Sequence, residues 1–336
     1  MDTTQSLQRF KQPNSYYVWA GVFFLLVVII TGLFYYATLK VEYTWRWFRI
    51  PQYFWYEDNI EIRSEIDGDV ASVKISGEEA IIRVKGISDT EAYTAPATAV
   101  KVSEGDLIYP GDILAAYTEG KPGIIVYGLW ITLKVSIIST IFGVIIGIFG
   151  GLARISTNPT LRWSAVTYVE LIRGSPLLVQ ILIWYFVLGT LINDILIAQG
   201  IARVGPFWYG VAALASFAGA YVTEIVRAGI QSIHRGQTEA ARSLGMSYAQ
   251  SMIYIILPQA LRRILPPLAG QFISLIKDSS LLGIIAIREL TKATREVVTT
   301  SLQAFELYLL CGILYLILTF SLSMFVQYLE RRSAPT

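Results

Sequence analysis

The residues of this sequence with chemistry to offer are charged side chains set in apolar surroundings. Three clusters carry them: Glu170-Leu171-Ile172-Arg173, then Tyr221 with Glu224 and Arg227, then Lys277-Asp278. A charge at the centre of a membrane span costs at least about 2.5–3.5 kcal/mol on insertion scales, so it faces a cavity or a partner. Acidic and basic groups on neighbouring spans can meet both ends of a zwitterion. They can equally neutralise one another: Glu170 and Arg173, or Glu224 and Arg227, sit one helical turn apart, where they could be structural or form a gate. Tyr221, Lys277 and Asp278 are candidates for lining a pore. Catalysis is a poor fit. The chain has one His, His234, one Cys, Cys311, and no identifiable nucleophile–base pair or His-rich metal site. No G-x-x-x-x-G-K-[ST] run is present, so the chain has no nucleotide loop of that kind.

A second stretch is chemically quiet but sharply spaced: Glu239-Ala240-Ala241-Arg242-Ser243-Leu244-Gly245, continued to Ile255, Leu257 and Pro258. It reads as two short helices around a turn. Thr238 is the expected cap of the first, and Glu239 suits the positive end of its dipole. Ala240 and Ala241 leave a flat surface that a partner can approach. Gly245 permits the backbone angle of a sharp turn, and Pro258 is expected to break or kink the second helix. His234 is a surface residue on this reading, and Cys311 a small packing residue.

The spacing E-A-A, three residues, G, nine residues, I, one residue, L-P resembles the coupling loop of ABC importer permeases, and every position is met here. The charged clusters carry a further resemblance, to the polar amino-acid (histidine/glutamine-type) branch of that family. Its signatures read E-x-x-R-G-T-P-L-L-V-Q, A-Y-x-x-E-x-x-R-G and K-D-T/S-S-L. Here Ser175 stands where Thr is common, and Ala228 separates Arg227 from Gly229. The resemblance covers residues 124 to 330. It implies an all-α polytopic core of the type I importer kind, in a bacterial inner membrane. The implied function is a permease for a polar amino acid or similar small polar solute. Glu239, Ala240, Ala241, Gly245, Leu257 and Pro258 would dock on a cytosolic ATP-binding subunit dimer. Glu170, Arg173, Tyr221, Glu224, Lys277 and Asp278 would belong to the pathway or its gate. A second permease subunit, identical or related, and an extracytoplasmic solute-binding protein are implied, with no cofactor on this chain. The alternative is a membrane scaffold or assembly protein whose β-insert carries the function.

The elements that must position these residues are mostly spans. Of 336 residues, 54% are hydrophobic and 15% charged, against about 25% charged in an ordinary soluble domain. Val18 to Tyr36 is a retained anchor, too long for most signal peptides and without a small-residue cleavage site after it. Tyr43 to Tyr56 gathers aromatic rings with Arg46 and Arg49, the composition of a membrane–water boundary. Residues 57–121 change character to short alternating runs cut by Gly and Pro, which predicts a small all-β insert. Its expected strands are 60–63, 70–75, 80–84, 98–102 and 107–117. The paired turns Gly105-Asp106 and Gly111-Asp112 resemble half of a biotinyl or lipoyl barrel, but the lysine hairpin tip is missing and no attached cofactor is implied. Further spans are expected at Ile124–Ala153, Ser164 to about Leu188, Phe207 to about Ile230, Pro266 to about Ile287 and Ala304–Tyr328. Residues 191–206 should be a loop, and 288–302 an interfacial helix. Gly143, Gly147, Gly150 and Gly151 are spaced to let helices approach.

These elements give three parts: 1–39, a cytosolic tail and anchor; 40–123, the interfacial segment and β-insert; and 124–330, a five-helix core with its loop at 231–265. Placing the loop in the cytosol puts both termini there and the insert outside. The Lys and Arg distribution agrees, from Arg9 and Lys11 through Arg154, Arg162, Arg262 and Arg263 to Arg331. A net charge of +2 with no basic cluster gives no case for nucleic acid.

Overall fold

In the computed structural model the apolar runs are helices and the alternating stretch is two small sheets. The structure describes residues 15–87 and 89–333. Arg9 and Lys11, used above to orient the chain, lie outside them. Two units separate, residues 1–47 and 48–336.

The first unit is built on α1, Ser15–Lys40. Its 26 residues reach about 39 Å at 1.5 Å per residue, more than a bilayer's hydrocarbon core. It is apolar all round, and its rings and aliphatic side chains from Tyr17 to Leu39 are exposed, as suits a helix surrounded by lipid. After it, Trp45 stacks on Trp47 with centroids 5.7 Å apart and Tyr43 meets Trp45 edge-on.

The second unit begins with the insert: β1 Trp55–Arg63, β2 Gly68–Ser76, β3 Glu79–Lys85, β4 Thr90–Pro96, β5 Leu107–Ile108 and β6 Ile113–Pro122. The strands form a ribbon of order β1-β6 and a sheet of order β4-β3-β2-β5, with antiparallel pairing throughout. Alternation puts Val70, Ile82, Val84 and Leu114 inside. Two expectations fail here. The strand expected over 107–117 is two, β5 and β6, parted by the turn at Gly111. Residues 98–102 are not a strand: Ala97–Ala99 is a short helical turn, and only Val100 bridges to Ala115. The strand in their place is β4, Thr90-Glu91-Ala92-Tyr93-Thr94-Ala95-Pro96, which pairs along β3 from Lys85–Thr90 to Glu79–Pro96. The paired Gly-Asp turns do form. Gly105 and Gly111 have φ of +88° and +98°, and Asp106 and Asp112 accept from the backbone of Ser103 and Tyr109. Leu114 has no exposed surface. Leu114→Ala should cost the insert about 2–5 kcal/mol, read as a lower melting temperature of the purified chain.

Five long helical elements follow. They are α2 Ile124–Arg154, α4 Leu177–Ala198, α5 Pro206–Gln231, α7 Tyr248–Ile285 and α9, the last running Ala304–Ser333. With α1 this makes six helices among the described residues long and apolar enough to span a membrane, as expected. Short helices lie between them: α3 Pro159–Arg173, α6 Arg235–Ser243 and α8 Leu290–Ser301. Helix α2 packs along α5 at very short range. A Cβ placed at Gly143, Gly147 or Gly151 would sit 2.8, 2.3 and 2.5 Å from Ala218, Val222 and Val226. Both partners step by four residues, so a row of glycines on one helix receives a ridge from the other.

The span expected at Ser164–Leu188 is corrected. The chain stops at Gly174, whose N–H bonds the Glu170 carbonyl at 2.8 Å, and restarts after Pro176. A residue before proline resists the α conformation, so Ser175 cannot continue the helix. The apolar span is α4, and it runs to Ala198 through what was expected to be a loop. Within it, Ile183–Gly189 is wound as a π-helix. The span expected from Pro266 is also longer. Met252–Ile256 is π-helical, Leu257–Asp278 is α-helical with Pro266 and Pro267 inside it, and Ser279–Ile285 tightens to 3-10. Pro258 therefore neither breaks nor ends a helix. It occupies the first turn of an α segment, where its missing N–H is harmless. Helix α8 forms within the stretch expected to be helical, 288–302, and turns Leu290, Ala293, Thr294 and Val297 inward.

Candidate functional site

Helices α3, α5 and α7 converge on a cavity of about 590 Å³. Arg173 enters from the last turn of α3, Tyr221, Glu224 and Arg227 from α5, Ser232 from just beyond it, and Arg263 and Pro267 from α7. Three of the six expected pathway or gate residues, Arg173, Tyr221 and Glu224, are thus brought together, with Arg227 beside them. Glu224 is the hub. Its Oε1 accepts from Arg154 Nε at 2.9 Å, and its Oε2 accepts from Arg227 at 2.8 and 3.1 Å. Arg227 also donates to Gln231 at 2.6 Å. Arg173 lies over the Tyr221 ring, 5.1 Å from its centroid. Arg263 donates to the Ser232 carbonyl at 2.6 Å.

The expected pairing of Glu224 with Arg227 is present. The expected pairing of Glu170 with Arg173 is not among the described ion pairs, because Arg173 turns to Tyr221 instead. Glu170 and Arg173 both sit on α3, before the break, and not in one of the helices long and apolar enough to cross a membrane. In the sequence Arg154 stands only among the basic residues that orient the chain. As the last residue of α2 it reaches a carboxylate 70 residues away in sequence. Glu224→Gln should leave Arg154 and Arg227 facing each other across a neutral amide. Uptake should drop by an order of magnitude or more while the chain still reaches the membrane; an unchanged rate in transport vesicles would take this network out of the pathway.

Lys277 and Asp278 lie elsewhere. Lys277 borders a separate cavity of about 320 Å³ with Ser280, Thr291, Cys311, Gly312 and Tyr315, and Asp278 is half-buried where α7 tightens. Cys311 is buried, as its packing role requires. Behind this cavity the fully buried Glu289 caps α8, accepting from Thr291 and Lys292 N–H at 2.7 Å each and from the Tyr315 hydroxyl at 3.0 Å. Burial pushes its carboxyl above the usual range, against the pull of these donors. No pattern in the sequence marked Glu289, since its cap bonds are visible only in three dimensions.

The spaced loop forms as a helix–turn–helix with two corrections at its start. Helix α6 begins at Arg235, and its cap is His234, whose Nδ1 accepts from Gly236 N–H at 3.1 Å; Thr238 is already inside the helix. Glu239 is therefore in mid-helix and not in its first turn. The helix end is fully bonded. Met246 N–H returns to the Ala241 carbonyl and Gly245 N–H to Arg242, at 3.2 and 3.0 Å, around Gly245 at φ +81°. That is a Schellman closure, which needs a left-handed residue. Ser247 and Gln250 then form a reciprocal capping box that starts α7. Ala241 is buried and only Ala240 faces out, so the flat surface is narrower than expected. Exposed apolar groups add to it: Leu244 at 83%, Tyr254 at 68% and Tyr248 at 60%. Leu257 is half-buried and Pro258 exposed. Beneath the loop, Ile233 and Ile256 pack with Val226, Ile230, Ala260 and Ile264. One apolar cluster thus joins the loop to the two helices that wall the charged cavity.

The model of a family described as "Binding-protein-dependent transport system inner membrane component" matches residues 143–334. This chain is 39% identical over 205 residues to the "Probable glutamine ABC transporter permease protein GlnM" of Bacillus subtilis (strain 168), a match covering 61% of this chain and 91% of that protein. It is 37% identical over 209 residues to the "Glutamine transport system permease protein GlnP" of Escherichia coli (strain K12), covering 62% and 92%. Among solved structures, an amino acid ABC transporter with histidines aligns with a TM-score of 0.55 at 38% identity, over 62% of this chain and 94% of that one.

Proposed function

The chain belongs to the binding-protein-dependent transport system inner membrane components, and from that premise we propose that it is an ABC importer permease carrying a polar amino acid of the glutamine kind. Residues 124–330 make the transport core, and residues 40–123 are an addition to it. The loop at 231–265 lies in the cytosol. By counting spans, both ends of the chain lie there too, and the β-insert faces out, where a solute-binding protein delivers its cargo. ATP is bound and hydrolysed by a separate cytosolic subunit dimer, and a second permease subunit completes the pathway.

The observation that carries this reading is the continuity between loop and cavity. A closed, outward-facing helix–turn–helix presents Leu244, Tyr248 and Tyr254 to a partner, while its underside shares one cluster with α5 and α7. Nucleotide-driven motion of the partner moves the loop, and the cluster carries that motion to Glu224 and Arg227. The pathway assignment covers Arg173, Tyr221, Glu224 and Arg227 first, with Lys277 and Asp278 at a separate place on α7 and Glu170 one turn before Arg173 on α3. A zwitterionic solute suits a route with both signs of charge.

Reconstitution tests it. The chain with its ATP-binding subunit and solute-binding protein should accumulate labelled glutamine only with ATP, and unlabelled polar amino acids should compete. Deleting residues 57–121 should weaken delivery by the solute-binding protein and leave ATP-binding subunit capture intact. Binding of the subunit without uptake of any amino acid would refute the substrate class. Failure to bind any such subunit would refute the importer reading.

A further inference from the structure

The charged cavity has more cation than its pairing accounts for. Among the described residues Glu224 is the one carboxylate lining it, against Arg173, Arg227 and Arg263. Both Glu224 oxygens are already taken, one by Arg154 and the other by Arg227. Among the described ion pairs, neither Arg173 nor Arg263 has a carboxylate partner. Arg173 is instead oriented by stacking over Tyr221, and Arg263 is held by the Ser232 carbonyl. Each keeps guanidinium N–H groups that these contacts do not use. An arginine keeps its charge at any physiological pH, and its planar fork matches oxyanions with paired N–H donors.

We propose that this cavity is a binding site for a phosphate ester, held by Arg173 and Arg263 with Arg227 beside them. The three guanidiniums arrive from three different helices, an arrangement that suits the several oxygens of a tetrahedral anion better than the two of a planar carboxylate. The volume, about 590 Å³, exceeds a bare phosphate and leaves room for an organic remainder. Ile225, Ala228, Gly229 and Pro267 supply the apolar wall for it. The ester is either a phospholipid headgroup or a soluble metabolite phosphate. Its location on the cytosolic side rests on the orientation proposed above; the site itself rests on the side chains named. Because the same Arg227 and Glu224 belong to the proposed gate, an anion here would couple membrane lipid or metabolite status to the pathway.

The test uses the purified full chain and needs no transport. In one arm, inorganic phosphate is titrated at constant ionic strength against chloride and acetate, and the melting temperature is read. In the other, the chain is passed through mixed micelles of phosphatidylglycerol or phosphatidylcholine, and retained lipid is counted by native mass spectrometry. Phosphate should stabilise the chain where acetate does not, or phosphatidylglycerol should be retained over phosphatidylcholine. The double variant Arg173→Gln/Arg263→Gln should weaken that binding by about tenfold or more, and Lys74→Gln/Arg83→Gln on the insert should leave it unchanged. Retention of phosphatidylglycerol identifies the lipid source, and a response to phosphate alone identifies a soluble one. Should the double variant fold poorly, displacement of bound phosphatidylglycerol from the wild type by phosphate, but not by acetate, supports the site. Binding of neither anion, equal effects of acetate and phosphate, or undiminished binding in a folded double variant overturns it. Each of these leaves the importer reading intact, just as lost uptake would leave an intact anion site.

Discussion

Vesicles carrying Gly245→Asp or Gly245→Val are expected to contain the normal amount of folded chain and to take up no solute above background. A Cβ at Gly245 would meet nothing within 4 Å, so the substitution does not clash with the rest of the chain. Its effect is on the backbone. At φ +81° a residue with a side chain costs about 1–2 kcal/mol, with Asp near the low end and the β-branched Val beyond it. The turn relieves that strain by moving, and the Schellman bonds from Gly245 and Met246 to α6 loosen with it. Leu244 and Tyr254 then no longer present one surface, and the new side chain projects into the partner. Capture of the ATP-binding subunit should weaken by roughly an order of magnitude for Asp and more for Val. Pull-down and solute-stimulated hydrolysis measure this together. Full coupling in the Val variant would mean that the turn is a passive connection.

Gly147→Leu is expected to act on the fold itself. Here the missing Cβ would lie 2.3 Å from Val222 Cγ1 and 2.4 Å from its Cβ. The second of these atoms is fixed to the backbone of α5, so only separation of the two helices can make room. Overpacking of this kind costs about 1–3 kcal/mol or somewhat more, and a Leu places four carbons where none fits. Folded yield and melting temperature should both fall sharply. Gly32→Leu is the matched control, because a Cβ at Gly32 meets nothing within 4 Å. Equal stability of the two variants would contradict the close packing of α2 on α5.

Local spacing carried the sequence reading a long way. The loop from Glu239 to Pro258 is one continuous stretch, so its turn at Gly245 and its two helices could be read directly. The Glu224–Arg227 pair was readable for the same reason, being one turn apart. What was not readable depended on distance or competition. Arg154 meets Glu224 only because α2 folds back along α5. The break at Gly174-Ser175-Pro176 was visible, yet the apolar residues on both sides invited one helix across it, which joined Glu170 and Arg173 to the apolar run of α4. Pro258 and Pro266 were given too much power to end a helix, since a first-turn proline costs little and a long packed helix tolerates others. His234 was passed over as a cap because its acceptor is a ring nitrogen and not the usual hydroxyl or carboxylate. Strand β4 was missed because Thr90-Glu91-Ala92-Tyr93-Thr94-Ala95-Pro96 has no Val, Ile, Leu or Phe and ends in Pro; its place is set by pairing with β3.

The wide turn at Met252–Ile256 stands between the partner-facing loop and the proline-bearing span. Such a turn holds one residue more than the α-helix around it. Returning that residue to ordinary winding would rotate everything beyond it by about 100° and shift it by about 1.5 Å. A pull on the loop that changed this winding would therefore reach Arg263 and Pro267 as rotation and not only as displacement along the helix axis.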